Sequence, residues 1–515
     1  MNTRDGRCVS LWQGSCNIYQ ARPAVQENNF YDVIIVGGGI TGVSTALQLQ
    51  EAGKRCLLLE ANHLGFGTTG GTTAHINTLL DTPYTIIEKN FGHNNMMRVA
   101  QAVKDGLLHI KRNIDHYAVD CGFSEAAAYL FAQDEDQDKK LQQIAAATAD
   151  AGVHVYRAEK IPVPVPFTSA IRAEGQAKFH PLEYVFALAR AFEHIGGTII
   201  QRCRVTGVEN NDRVEVETSG GHFMAKDLVY ATHIPPGVNL LHLRCIPYRS
   251  YAMAVLLEND GYPSDLAYDM ADPYNYYRTQ EVDGQPYFIA GGKDHKTGES
   301  ANTEACFAQL ESHLRQYFPV REVAYKWSSQ YFEPADGLPY IGHLPGQPEH
   351  IYVACGYGGN GMIYSSVAAT LITKQILEEA SSYAALFDPN RIKPVAGFKN
   401  FITHNADVVR QFAGKLLSGP KLEQLADLAP DEGRLVAYEG KKLAVYKDEA
   451  GQLHAVSPHC THLQCDVKWN SAEQSWDCPC HGSRFDADGY VLTGPADRDL
   501  ERVGLGVMTA KSLQH

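Results

Sequence analysis

The sequence contains no run of about 20 apolar residues, the length a helix needs to cross a bilayer. Its longest uncharged stretch, Ile351 to Thr373, is broken by Gly, Asn, Ser and Tyr and reads as a loop followed by a buried helix. Positive charge is in deficit: 45 Lys and Arg stand against 59 Asp and Glu, a formal net charge of −14. That balance argues against nucleic acid or an anionic membrane surface as the main partner. The first residues lack the charged, then apolar, then small-residue pattern of a secretory signal, because Arg4, Asp5, Arg7, Gln13 and Asn17 interrupt it. A cytoplasmic location is therefore expected. Cysteine is too sparse for a disulfide scaffold, 12 in 515 residues. No low-complexity tract, repeat of fixed period or block of like charge stands out.

What is present is ordinary in bulk and uneven in detail. Apolar residues make up 44% and charged residues 20%, as in a globular protein, and at about 150 residues per domain the length predicts three or four units. Eight cysteines are scattered singly, at 8, 16, 56, 121, 203, 245, 306 and 355, while Cys460, Cys465, Cys478 and Cys480 crowd into 21 residues. Scattered thiols are mostly inert, buried small hydrophobes; a tight Cys/His cluster points to a metal site.

Read along its length, the chain begins with a polar, irregular lead, residues 1–29. Tyr31–Val36 is then a short apolar, β-branched run of the kind that forms a buried parallel strand. Gly37-Gly38-Gly39-Ile40-Thr41-Gly42 follows, then helical spacing up to Gly53, a second apolar strand over Arg55–Leu59, and Glu60. The middle mixes helical segments (Tyr84–Tyr117, Asp136–Ala151, Pro181–His194) with strand-like runs (Thr198–Ile200, Leu228–Ala231, Tyr251–Leu257, Tyr287–Ala290). A late strand, Ile351–Ala354, leads through a Gly-rich loop at 356–361 into a helix over Met362–Glu379, so the first domain is expected to be discontinuous. A linker with a helix at Ala406–Leu417 is expected over 386–425, and short strands with turn signals after Pro430 predict a small all-β module.

Strand, Gly turn, helix, strand and acid form one βαβ unit, and Glu60 lies 23 residues after Gly37. Gly37 permits the tight turn, Gly39 lets backbone approach a diphosphate, and Gly42 lets helix and strand pack closely. The helix start aims N–H groups and a partial positive charge at the phosphates. Glu60 can accept from a ribose diol and disfavours a 2′-phosphate. The small, Thr-rich loop that follows, with Ala61, Thr68, Thr69, Thr72 and Thr73, offers donors without bulk along a long flavin cofactor.

With these residues the segment YDVIIVGGGITGVSTALQLQEAGKRCLLLEAN resembles the FAD-dependent D-amino-acid oxidase-like oxidoreductases, the glycine and sarcosine oxidase type. Phe179–Leu182, Arg204–Val208, Leu228–Thr232, Asp336–Gly342 and the Gly356–Met362 loop resemble later parts of that family, over about residues 30–380. The resemblance implies FAD contacts at Gly37, Gly39, Ile40, Thr41, Gly42, Glu60, Ala61, Thr68, Thr69, Thr72, Thr73, Val205, Ala231, Thr232, Gly337, Gly356, Gly358, Gly361 and Met362. It also implies an α/β, Rossmann-like FAD-binding domain (about 30–80, 180–235 and 335–385) with an α+β substrate domain between. Tyr276 and Arg278 are the substrate-side candidates, since an Arg can hold a carboxylate bidentately. His75 is expected near the flavin ring, where some relatives attach flavin covalently. His180 is read as a helix-start residue.

In the C-terminal module, Cys460-x-His462 and Cys478-x-x-His481 bring two thiolates and two imidazoles together, a set suited to zinc or iron. The segments CTHLQC and CPCHGS resemble the Rieske [2Fe–2S] family. That resemblance implies an all-β Rieske domain at 426–515, with Cys460 and Cys478 on one iron and His462 and His481 on the other. It further implies a Cys465–Cys480 disulfide and a covering loop at Gly494-Pro495-Ala496. Two departures stand out. Gln464 occupies a position commonly Gly, and Phe485 one commonly Tyr, whose hydroxyl bonds a ligand sulfur.

A flavin takes electrons in pairs and a [2Fe–2S] cluster passes them singly. The expected function is therefore amine or amino-acid oxidation at flavin, relayed through the cluster to a one-electron acceptor. Electron flow in reverse, as a pyridine-nucleotide-linked reductase, and a non-enzymatic redox sensor are the alternatives. A Rieske oxygenase is excluded because no room is left for its mononuclear iron domain.

Overall fold

The computed structural model describes residues 4–23, 29–210, 212–300, 302–347, 349–391, 428–438 and 441–504. The strand Phe30–Val36 lies between two parallel neighbours, Cys56–Leu59 and Gly221–Tyr230. Val33, Ile34 and Ile35 are fully buried, which is why this run is uniformly apolar: both faces of a parallel strand are covered. The main path of that eight-stranded sheet runs Tyr340–His343, Ile351–Cys355, Gly221–Tyr230, Phe30–Val36, Cys56–Leu59, Thr198–Ile200. Three separate stretches of chain thus build one sheet, covered by the helices Ile40–Glu51, Pro181–His194 and Gly361–Ile376.

A second sheet has nine strands. Its long strand Cys245–Leu257 pairs antiparallel with Gln285–Lys296 on one edge and Val320–Pro334 on the other. The single helix expected over Tyr84–Tyr117 is two, Tyr84–Phe91 and His93–His116, broken at Gly92, whose φ of +84° a helix cannot continue. The expected helix at Ala406–Leu417 lies outside the described residues.

The last module has a three-stranded sheet (Gly433–Tyr438, Lys441–Lys447, Leu453–Val456) and a four-stranded one (Lys468–Asn470, Ser475–Asp477, Arg484–Asp486, Val491–Thr493). It docks on the flavin domain through the N-terminal lead, which is not the irregular tail its composition suggested. The lead forms the helix Leu11–Ser15, capped by Ser10, with Leu11 and Trp12 fully buried. Asp5 sits between two arginines with no exposed surface: Arg249 of the flavin domain at 3.3 Å and Arg484 of the C-terminal module at 3.2 Å. Arg484 also pairs with Asp477 at 2.8 Å. A segment buried by docking into grooves made by others needs no periodicity of its own, so nothing local announces it.

Candidate active site

Gly37 has φ +112°, and a Cβ at Gly42 would fall 1.9 Å from the Gly37 carbonyl oxygen. Both glycines are therefore required by the turn. Gly39 caps the Ile40–Glu51 helix without a side-chain hydrogen bond; Thr69 Oγ1 accepts from the Ile40 N–H at 3.0 Å. The Glu60 carboxylate accepts from the N–H groups of Gly38 (2.7 Å) and Asn62 (2.8 Å).

From this turn a cavity of about 510 Å³ runs to the second sheet. Its wall includes Gly37, Gly39, Ile40, Thr41, Glu60, Ala61, Thr68, Thr69, Thr72, Thr73, Val205, Ala231, Thr232, Gly358, Gly361 and Met362. Gly42 packs behind it. Gly337 and Gly356, expected at the cofactor, do not line it. Gly337 (φ +92°) faces the Thr82 side chain and Gly356 (φ +72°) the Cys245 thiol, so both are turn glycines.

The far end of the cavity is built from Tyr268, Tyr274, Tyr276, Tyr331, Asp81 and Asp294. Asp294 accepts from Ser250 Oγ (2.5 Å) and Tyr331 OH (2.8 Å), and the Ser250 and Tyr276 hydroxyls are 3.0 Å apart. Asp81 receives the Tyr274 hydroxyl at 3.4 Å. Confinement away from bulk water pushes both carboxyls up to about 6. His75 lines the same end, its Nδ1 2.6 Å from the Tyr268 hydroxyl, and burial holds it neutral, well below its ordinary range.

Tyr276 is on this wall, but Arg278 is not. It has no exposed surface and donates to the carbonyls of Thr73 (2.9 Å) and Ala74 (2.6 Å) and to Gln280 Oε1. Residues two apart on a strand share a face, so Arg278 lies on the side of Tyr276 but one step further along, where the Thr73 and Ala74 carbonyls take its N–H groups. His180 caps the Pro181–His194 helix, accepting from the Glu183 N–H at 3.3 Å.

In the C-terminal module, Cys460 and Cys478 are buried hydrogen-bonded neighbours, and the rings of His462 and His481 lie 5.0 Å apart. Cys465 and Cys480 form a disulfide, S–S 2.07 Å. Gln464 has φ +60°, which explains why Gly is common there. Ser483 Oγ accepts from the Ala496 N–H at 3.0 Å, and Phe485 is fully buried among the same cysteines. His462 turns Nε2 to the Gly237 carbonyl of the flavin domain at 3.0 Å; its buried Nδ1 has no hydrogen-bond partner among the described residues.

Residues 32–375 match the FAD dependent oxidoreductase family, and residues 420–504 match the Rieske [2Fe-2S] domain. The chain belongs to the FAD dependent oxidoreductase family. It is 32% identical over 499 residues, 96% of this chain and 97% of the other, to YhfW of Bacillus subtilis (strain 168), whose name describes a Rieske 2Fe-2S iron-sulfur protein. It is 23% identical to gamma-glutamylputrescine oxidoreductase of Escherichia coli (strain K12), over 73% of this chain and 90% of that one. The glycine oxidase structure from Geobacillus kaustophilus superposes with a TM-score of 0.59 at 18% identity, covering 71% of this chain and all of that one.

FAD and a [2Fe–2S] cluster are the cofactors of this FAD dependent oxidoreductase. Its residues fit both. The helix start with glycine at its cap, the crowded glycines and Glu60 suit a dinucleotide; two buried thiols with an unpartnered imidazole Nδ1 suit a Cys/His-held cluster. No helix among the described residues is long and apolar enough to cross a membrane.

One strand of this oxidoreductase touches both sites. Along Val320–Pro334, Trp327, Ser329 and Tyr331 line the cavity. The alternate residues face the cluster module: Ser328 Oγ donates to Glu473 (2.5 Å) and Gln330 Nε2 to the Gly482 carbonyl (2.8 Å). Sequence reasoning missed this strand and also Arg4, Asp81, Asp294 and the tyrosines other than Tyr276. Trp327-Ser328-Ser329-Gln330-Tyr331 carries no apolar–polar alternation, so nothing local says what either face of the strand meets.

Proposed function

We propose that this oxidoreductase oxidises a small cationic amine at the C–H bond next to nitrogen and relays the electrons through its Rieske cluster to a one-electron acceptor. Bound FAD supplies the two-electron hydride acceptor and the cluster a one-electron carrier. The bound ammonium first loses one N–H proton to solvent, which frees the nitrogen lone pair; the adjacent C–H bond then breaks as hydride while that lone pair forms C=N, and water hydrolyses the resulting iminium.

The chain's own part is binding and separation. Asp81 and Asp294, set among tyrosine rings, suit an ammonium group; the arginines on the cavity wall, Arg4 and Arg204, line it together with the nucleotide-turn residues. The candidate carboxylate ligand Arg278 is spent on backbone carbonyls, which favours amines over α-amino acids. The relay rests on the Val320–Pro334 strand, which has the cavity on one face and the Cys478–Gly482 loop on the other. The docking of His462 on Gly237 supports it further.

Anaerobic addition of amines and amino acids tests both parts. A cationic amine should bleach the flavin first and reduce the cluster afterwards. A cluster that stays oxidised through many turnovers rejects the relay; bleaching by α-amino acids alone rejects the amine assignment.

A further inference from the structure

Arg4 is only 5% exposed, yet it is among the residues that line the cavity, and its guanidinium reaches Thr68, another of them. Its partners are neutral: Thr68 Oγ1, His233 Nδ1 at 2.8 Å, and Thr493 Oγ1, reached by Nε at 3.0 Å and Nη2 at 2.7 Å. No carboxylate lies within ion-pair distance of it among the described residues; Asp5 and Glu60 act on it only from further off, and the cations Arg484 and Arg249 act against them. The neighbouring buried arginines, Arg249 and Arg484, each have at least two. Burial lowers the Arg4 pKa to about 10, which leaves it cationic at neutral pH. A buried cation without a counter-ion is costly unless a ligand supplies one.

The position says which ligand. Thr68 adjoins Thr69, whose hydroxyl takes the Ile40 N–H at the start of the Gly-turn helix. Arg4 therefore flanks the cradle suited to a diphosphate, and a diphosphate is dianionic. Thr493, which accepts two of its N–H groups, belongs to the cluster module.

We propose that Arg4 is the counter-ion of the FAD diphosphate and that its anchorage on Thr493 couples FAD retention to docking of the cluster module. The lead thus carries one nucleotide-binding residue, and the second domain holds it in place. Linkage makes the effect reciprocal: occupancy of the cavity by a diphosphate strengthens docking.

The test uses full-length protein with FAD removed and the cluster retained, titrated with FAD, ADP and adenosine. Arg4→Met should weaken FAD and ADP roughly ten- to a hundredfold and leave adenosine unchanged. Thr493→Val should weaken the same two ligands by a smaller factor, and Arg4→Lys should recover part of the loss. Hydrogen exchange in residues 484–496 should slow when ADP binds wild type and not when it binds Arg4→Met. Equal losses for ADP and adenosine would mean that Arg4 only shapes the cavity and would overturn the proposal; so would unchanged ADP affinity, or exchange in 484–496 indifferent to ADP in wild type.

Discussion

Replacing Asp294 by Asn removes one negative charge from the tyrosine-lined end of the cavity while keeping volume and shape. The carboxylate has two fixed donors, Ser250 and Tyr331, so the amide can retain an acceptor for one of them. At an effective dielectric of about 20, an ammonium 4 Å from a carboxylate gains about 4 kcal/mol, an upper bound. A charge-assisted hydrogen bond contributes about 1.5–3 kcal/mol net. The smaller range corresponds to a fall of roughly 10- to 150-fold in kcat/KM for a cationic amine. The pH profile carries the same information. Burial raises Asp81 and Asp294 to about 6 and Glu333 to about 7; the charge of Asp81 adds to the rise at Asp294, and both add to it at Glu333. A carboxyl with a raised pKa is neutral below it, so KM for the amine should climb as pH falls through about 6 to 7. In Asp294→Asn that acid limb should be shallower. Anaerobic flavin bleaching, followed against amine concentration and pH for both proteins, measures all of this. Unchanged kcat/KM, or an equal loss for a zwitterionic α-amino acid, would refute the role given to Asp294.

Two further outcomes concern the cluster module. Phe485→Tyr should raise the cluster potential, because a hydroxyl bonded to a ligand sulfur stabilises the reduced form; about 1 kcal/mol for the bond corresponds to roughly 40 mV for one electron. A redox titration that finds the potential unchanged or lowered rejects this. Arg484→Met takes from buried Asp477 its ion-pair partner and leaves Asp5 with Arg249 alone. It should cost about 3–5 kcal/mol, seen as loss of the cluster's visible circular dichroism at lower denaturant than in wild type; coincident transitions would contradict it.

Much of the architecture was legible because its signals are local. The Phe30–Glu60 segment reads as strand, glycine turn, helix, strand and acid, since backbone sterics and a phosphate cradle demand those residue types at those spacings. The Cys/His half-sites are equally local, and their spacing survives any arrangement of the rest. Arg278 shows where such reading fails: an arginine next to tyrosines in a substrate domain looks like a carboxylate ligand, and only the strand's packing reveals that backbone carbonyls take its hydrogen bonds. Gly337 and Gly356 lie off the cavity wall, and the sequence could not place them, because a turn and a ligand approach require the same residue.

By itself, then, the sequence determined the two cofactor-binding modules and the residue types that could serve each. Tertiary structure alone decided how they meet. It placed Asp81 and Asp294 in one pocket from distant segments, set a single strand between cavity and cluster loop, and buried Arg4 and Asp5 between the two domains. Those contacts join residues up to 489 positions apart, and no periodicity or spacing encodes them, since burial and charge pairing across a domain interface exist only once both surfaces are formed.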